Sequence, residues 1–173
     1  DAVSKSLDAQ EPLLVEAPTG LGKTAPILAG ALQHVSARDQ QVFWATSKTT
    51  QQEVVERTVR RLDGVRCVTL VAKEKACLND VVACSPDHCP YAQDYYTKVT
   101  DAQVYQKAWG TKVLDRDALQ ALGNTHQVCP YQLSLDLTAT ADVVIGDYNY
   151  AFDPERSIIF AKEPKDWAVV VDE

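Results

Sequence analysis

Three sets of residues in this chain have the types and spacing that chemistry requires. The first is VEAPTGLGKT (Val15–Thr24), which ends in G-x-G-K-T. In such a loop the backbone N–H groups of Thr19, Gly20, Leu21 and Gly22 would wrap phosphate oxygens. Lys23 would reach the β- and γ-phosphates, and the Thr24 hydroxyl would hold Mg²⁺. The strict pattern begins with glycine at position 17, where this chain has Ala17. The second set is WAVVVDE, valines followed by Asp172 and Glu173. Carboxylates at the carboxyl end of a strand lie where α/β sheets place their ligands. Asp172 is expected to hold Mg²⁺ through water and Glu173 to polarise the attacking water. A phosphate cradle and an acidic pair in this order make ATP and Mg²⁺ the expected ligands and ATP hydrolysis the expected reaction.

The third set is Cys77, Cys84, Cys89 and Cys129, spaced C-x6-C-x4-C-x39-C, with Pro-Tyr after the last two. Five cysteines is an odd count, and a nucleotide site argues for a reducing compartment, so metal or cluster ligation is expected before disulfides. The spacing lacks the paired C-x2-C knuckles of most structural zinc sites. Iron–sulfur clusters accept ligands from separated loops. Spacing alone leaves cluster and zinc both open. Cys67 lies among valines and reads as core, and His88 and His126 read as loop histidines.

The elements that must position these residues follow from periodicity. Leu13–Val15 reads as a short buried strand before the loop, and Ile27, Leu28, Ala31, Leu32 and Val35 recur at helical spacing after it. Gln41–Ala45 reads as a second strand and residues 48–62 as a helix, with Val54, Val55, Val59 and Leu62 inward. Its Glu53, Glu56, Arg57, Arg60 and Arg61 read as a solvated face. Gly64 is a plausible terminator, and residues 65–72 read as a third strand. This alternation predicts an α/β domain, a parallel sheet with helices on both faces.

From residue 73 to 130 the alternation stops. That stretch reads as a small, mainly helical insert, with helical segments near Asp101–Trp109 and Asp115–Leu122 and Gly123 as a stop. Its apolar periodicity is too weak to hold about 58 residues together, and four thiolates on one centre would supply the missing constraint. Regular structure resumes at ADVVIGDYNY and at WAVVVDE, so residues 1–72 and 131–173 are expected to form the nucleotide-binding domain.

The net charge of −7 excludes a polycation, so any nucleic-acid contact must be a local patch. No apolar run approaches ~20 residues and no secretory leader is visible, so membrane and secretory readings have no support. A chain without methionine that opens on Asp1 reads as a piece or a processed form. Lys73, Lys75, Lys98, Lys107, Lys112 and Arg116 make the insert locally basic. Tyr95, Tyr96 and Trp109 suit either base stacking or, by preference, packing of a small core.

Together EAPTGLGKT, the four-cysteine insert, VCPY, ADVVIGDYNYAFDP and VVVDE resemble the first RecA-like motor domain of XPD/DinG-type superfamily 2 DNA helicases, over nearly the whole chain. The resemblance implies a [4Fe–4S] cluster on Cys77, Cys84, Cys89 and Cys129, and 5′ to 3′ movement on single-stranded DNA. It assigns Lys23 and Thr24 to phosphate and Mg²⁺, and Asp172 and Glu173 to the acidic pair of a DEAH box whose Ala-His remainder is not seen. It also removes the difficulty at Ala17, since alanine is common there in the superfamily. Thr46, Ser47 and Lys48 occupy the place of a DNA-backbone motif, with Thr46 or Ser47 equally suited to capping the helix. The upstream adenine-reading segment, the arch domain and the second RecA-like domain are expected to lie outside this chain, which would then bind nucleotide without driving movement. The implied location is cytoplasmic in a bacterium, nuclear in a eukaryote, and not secreted. The rival readings are a zinc-stabilised P-loop ATPase of another family, and a non-catalytic nucleic-acid-binding module.

Overall fold

The computed structural model describes residues 2–18, 20–155, 157–159 and 167–172. In chain order the elements are α1 (Ala2–Ala9), α2 (Thr24–Val35), β1 (Gln41–Ala45) and α3 (Thr49–Val59). Next come β2 (Cys67–Thr69), α4 (Lys73–Ala76), α5 (Tyr95–Asp101), α6 (Val104–Ala108), β3 (Val113–Leu114), α7 (Arg116–His126) and α8 (Pro130–Leu137). A single 3₁₀ turn (Thr138–Thr140) leads to β4 (Val143–Gly146), α9 (Tyr148–Phe152) and β5 (Trp167–Val171). The chain divides into two compact bodies, residues 1–63 with 142–173, and residues 64–141.

In the first body three parallel strands run in the order β4-β1-β5. β1 is paired on both edges and every one of its residues is buried, as its unbroken QVFWA run demands of a strand covered on both faces. Phe43 and Trp44 are its largest buried side chains, each contributing roughly 1.5–3 kcal/mol by leaving water. α2 packs on β1 through Leu28, Ala31 and Val35. α1, which no pattern announced, lies along α2. Its Asp8 carboxylate is 2.9 Å from both His34 Nδ1 and Arg38 Nη2.

Two expectations for this body fail. Leu13–Val15 is not a strand, and Leu14 is 96% exposed. An apolar run becomes a strand only where a neighbouring ladder takes its N–H and C=O groups, and the described pairings of this body are those of β4, β1 and β5 alone. In α3, Glu56 belongs to the buried face, with Arg60 Nη1 at 4.0 Å, whereas Val54 is at the surface.

The second body is mainly helical, with β2 and β3 paired in parallel (Cys67 opposite Val113, Val68 opposite Leu114). It includes β2 and all of α8, and so reaches beyond residues 73–130 on both sides. Strand β2 is shorter than the expected 65–72, and the helix expected near Asp101–Trp109 is α6, with α5 an additional helix before it. Cys67 is fully buried, as its valine neighbours required. Asp115 opens α7 by accepting the Ala118 N–H at 2.9 Å.

Gly123 does not stop α7. The helix continues through it and ends at Gln127, whose φ of 54° is left-handed. The glycine serves close approach instead. A Cβ there would lie 2.6 Å from Pro130 Cγ, 2.8 Å from the Val128 carbonyl oxygen and 3.1 Å from Leu78 Cδ1. α5 and α6 are fastened to α8 by one carboxylate. Tyr95 and Tyr105 donate to Asp136 Oδ2 at 2.9 and 2.7 Å, and Gln132 donates to Oδ1 at 2.9 Å.

Two predictions follow from these contacts. Gly123→Ala should cost the second body ~1–3 kcal/mol, since backbone as well as side chain must move. Hydrogen exchange should show the loss in residues 64–141, with 1–63 unchanged. Burial, with the Asp136 carboxylate beside it, pushes the Tyr105 hydroxyl from 10.0 up to about 12, and the same causes raise Tyr95. Because the folded values exceed the unfolded one, this stabilisation is whole below pH 10 and is lost as pH climbs through about 12. Ultraviolet titration should find these two tyrosines ionising last, and Asp136→Asn should bring them forward.

Candidate functional site

The parallel register of the first body aligns the strand ends near which the residues expected to bind nucleotide fall. Ala45 lies opposite both Gly146 and Val171, so the carboxyl ends of β4, β1 and β5 are aligned. Thr46, Asp147 and Asp172 follow those three ends directly. α2 is about 18 Å long and β1 about 17 Å, and five residues connect the end of α2 to the start of β1. A helix of that length packed on the strand places Thr24 near the same carboxyl edge.

Within the loop, Gly20 (φ 90°) and Gly22 (φ 73°) both occupy the left-handed region, which side chains resist and which an anion-binding concavity uses. Lys23 Nζ donates to the Ala17 carbonyl at 2.8 Å, so its ammonium is folded back over its own loop. Leu21 projects outward, 69% exposed. No side chain caps the start of α2, which leaves its first N–H groups available to an anion. Asp172 is half-buried, and its backbone is held from both sides. Its N–H donates to the Ala45 carbonyl at 2.9 Å, and its carbonyl accepts the Tyr148 hydroxyl at 2.5 Å. Pattern reading gave Tyr148 no role of its own, because only strand pairing reveals that β4 and β5 end level on either side of β1. Thr19 and Glu173 lie outside the described residues.

At the turn after β1 the three expected DNA-facing residues separate. Thr46 is fully buried and its hydroxyl donates to Gln51 Oε1 at 2.6 Å. Ser47 and Lys48 are exposed. Neither Thr46 nor Ser47 caps α3; its N-cap is Lys48, with no side-chain bond. Thr46 therefore fixes the turn from inside, and the exposed face belongs to the other two.

In the second body Cys77, Cys84, Cys89 and Cys129 all line one pocket, which encloses about 380 Å³ of space partly open to solvent. Two of the four stand on helix ends. Cys77 closes α4 and Cys129 is the N-cap of α8, before Pro130 at its first position. Cys84 and Cys89 come from the irregular stretch between α4 and α5, Cys84 exposed and Cys89 buried. Several side chains hold these segments together. Gln120 donates to the carbonyls of Lys75 and Ala76 at 3.2 and 3.4 Å, closing the end of α4. Lys98 Nζ joins Pro90 O (2.7 Å) to Gln127 O (3.1 Å), tying the residue after Cys89 to the approach of Cys129.

Burial pushes the Cys129 thiol up, against hydrogen bonds from the backbone of Gln132 and Tyr131 that favour the thiolate. Lys73 Nζ lies 5.1 Å from the centre of the Tyr131 ring, on the wall of the same pocket. Among the described residues no three His, Cys, Asp or Glu side chains are grouped as a single metal ion would need. His88 is exposed and His126 half-buried, and neither lines the pocket. Of the aromatic residues, Tyr95 packs inside and Tyr96 is 67% exposed. No helix among the described residues is long and apolar enough to cross a membrane.

Comparison with known proteins agrees with this geometry. The whole chain is 24% identical to the regulator of telomere elongation helicase 1 homolog of Caenorhabditis elegans, covering 22% of that protein. Over 99% of its length it is 24% identical to the general transcription and DNA repair factor IIH helicase subunit XPD of Dictyostelium discoideum, covering 26% of it. It superposes on a solved structure titled XPD_Helicase with a TM-score of 0.69 at 21% identity, over 99% of this chain and 30% of that one. The chain thus spans about a quarter of the length of these curated relatives, and the structural likeness shows its fold to be α/β and RecA-like. Residues 46–173, from the turn after β1 to the chain's end, match the DEAD_2 family, and the chain belongs to that family.

Proposed function

We propose that this chain is the first RecA-like motor domain of an iron–sulfur DNA helicase, which couples ATP hydrolysis to 5′ to 3′ movement on single-stranded DNA and to unwinding. The observation that carries this reading is the convergence of Cys77, Cys84, Cys89 and Cys129 on one pocket in a DEAD_2 chain that also has a phosphate loop. The donor set suits a [4Fe–4S] cubane, which takes four thiolates from separated loops. When bound, such a cluster supplies a covalent cross-link through the second body and a one-electron redox centre. Residues 73–130 are then the cluster-bearing insert, and 1–72 with 131–173 the motor domain.

The chain's own residues divide the nucleotide chemistry. Lys23, released from the Ala17 carbonyl, would sit on the β- and γ-phosphates, and the Thr24 hydroxyl would join the Mg²⁺ shell. Gly20 and Gly22 let the loop close on the phosphates, and Thr19 and Leu21 contribute backbone N–H groups. Asp172, its backbone fixed by Ala45 and Tyr148, would hold Mg²⁺ through water. Glu173 would orient the attacking water. Ser47 and Lys48 suit a DNA phosphate, with Thr46 holding their turn in shape. A second RecA-like domain of the same full-length protein would complete the site, by supplying charge around the γ-phosphate.

Protein purified without oxygen should carry about four irons and four sulfides per chain. Stoichiometric zinc with no iron would instead favour a zinc-stabilised ATPase and sink the iron–sulfur reading. In the full-length enzyme Lys23→Ala should reduce ATP turnover by roughly 10²-fold or more. Its melting temperature should hardly change, because a half-exposed ammonium on a surface loop packs against little. A variant keeping most of its turnover would count decisively against the assigned role.

A further inference from the structure

We propose that Asn79 is a positioning residue for the metal centre, setting the reduction potential and the durability of the cluster through the Cys89 sulfur. The inference rests on the iron–sulfur reading above. Asn79 Nδ2 lies 3.3 Å from Cys89 Sγ and lines the four-cysteine pocket. No helix or strand spans the residues between α4 and α5; turns hold the Cys89 backbone, its N–H on the Ser85 carbonyl at 2.8 Å, and the Asn79 amide holds its sulfur. Asn79 follows Cys77 by two residues and reaches across ten to Cys89, so one amide links the surroundings of two ligands.

The chemistry fixes the direction of this contact. A free thiol can donate or accept, but a sulfur bound to iron has no proton and only accepts. The amide N–H must then face it. Such a bond withdraws electron density from the sulfur and favours the reduced state, which carries more negative charge. Cys89 is buried in a mostly apolar pocket, so that dipole is screened less there than it would be in water. Cys129 takes its hydrogen bonds from the backbone of Tyr131 and Gln132, which substitution of those side chains does not remove. The donor to Cys89 is a side chain and can be changed alone.

The test uses full-length protein purified without oxygen, as wild type, Asn79→Leu (similar bulk, no N–H) and Asn79→Gln (amide kept). Iron content is measured first, then the reduction potential by a spectroscopically followed titration, then the rate of iron loss to a chelator. Asn79→Leu should lower the potential and speed iron loss by ~10-fold, the usual scale for losing an outer-shell partner. Asn79→Gln should stay near wild type in both. A Leu variant that cannot be loaded beside a Gln variant that can leads to the same conclusion. Wild-type potential and release in Asn79→Leu, or equal defects in the two variants, overturn the role of Asn79 while leaving the cluster intact. Wild-type protein without iron overturns the iron–sulfur reading itself, and this proposal with it.

Discussion

The pairing of β1 on both of its edges is the constraint from which the proposed nucleotide site follows. Because Ala45 lies opposite Gly146 and Val171 at once, three strand ends stop at one level. Everything placed after those ends inherits that alignment: the Thr46 turn, the Asp147–Tyr148 entry to α9, and Asp172. The Tyr148 hydroxyl on the Asp172 carbonyl then locks the outer strand end to the one two places away. A buried, fully paired strand is among the stiffest platforms a chain can build. It suits chemistry in which placement of charge, rather than covalent participation, does most of the catalysis.

The second body solves a different problem. Its four cysteines are spread along a stretch with little regular structure, and loop-closure entropy opposes bringing them together. Close approach at Gly123 is the main device. With no side chain there, Leu78 on one side and Val128–Pro130 on the other reach the same helix, and these are the immediate neighbours of Cys77 and Cys129. Lys98, Gln120 and the Asp136 carboxylate add polar ties between segments far apart in the chain. The Asp136 carboxylate also satisfies two part-buried tyrosine hydroxyls that would otherwise cost stability. The pocket is thus largely shaped by the polypeptide, and a bound cluster would close a cage whose walls already stand.

Electrostatics separates the two bodies' roles. On the phosphate loop a single ammonium rests on a carbonyl of its own loop, an arrangement that stations positive charge where an anion is expected without burying it. In the cysteine pocket the groups that act on sulfur are dipoles, the Asn79 amide at Cys89 and the backbone N–H groups of Tyr131 and Gln132 at Cys129. Fixed dipoles stabilise thiolates without adding the net charge that would have to be compensated in an apolar wall.

By itself the sequence determined whatever depends on local order. β1 appears with its expected bounds because five consecutive residues without a solvent-facing alternation fit only a strand buried on both faces. The helix after the glycine loop and the core position of Cys67 were readable from residue type and spacing. Tertiary structure decided what depends on a partner. Leu13–Val15 has the composition of a strand but no ladder to join, Gly123 has the look of a stop but is a contact, and Thr46 turns inward to Gln51. Asn79 and Asp136 carry no motif at all, and the motif around Tyr148 does not name its partner. Their roles arise from atoms brought within hydrogen-bond reach by segments far apart in the chain, and periodicity holds no record of such distances.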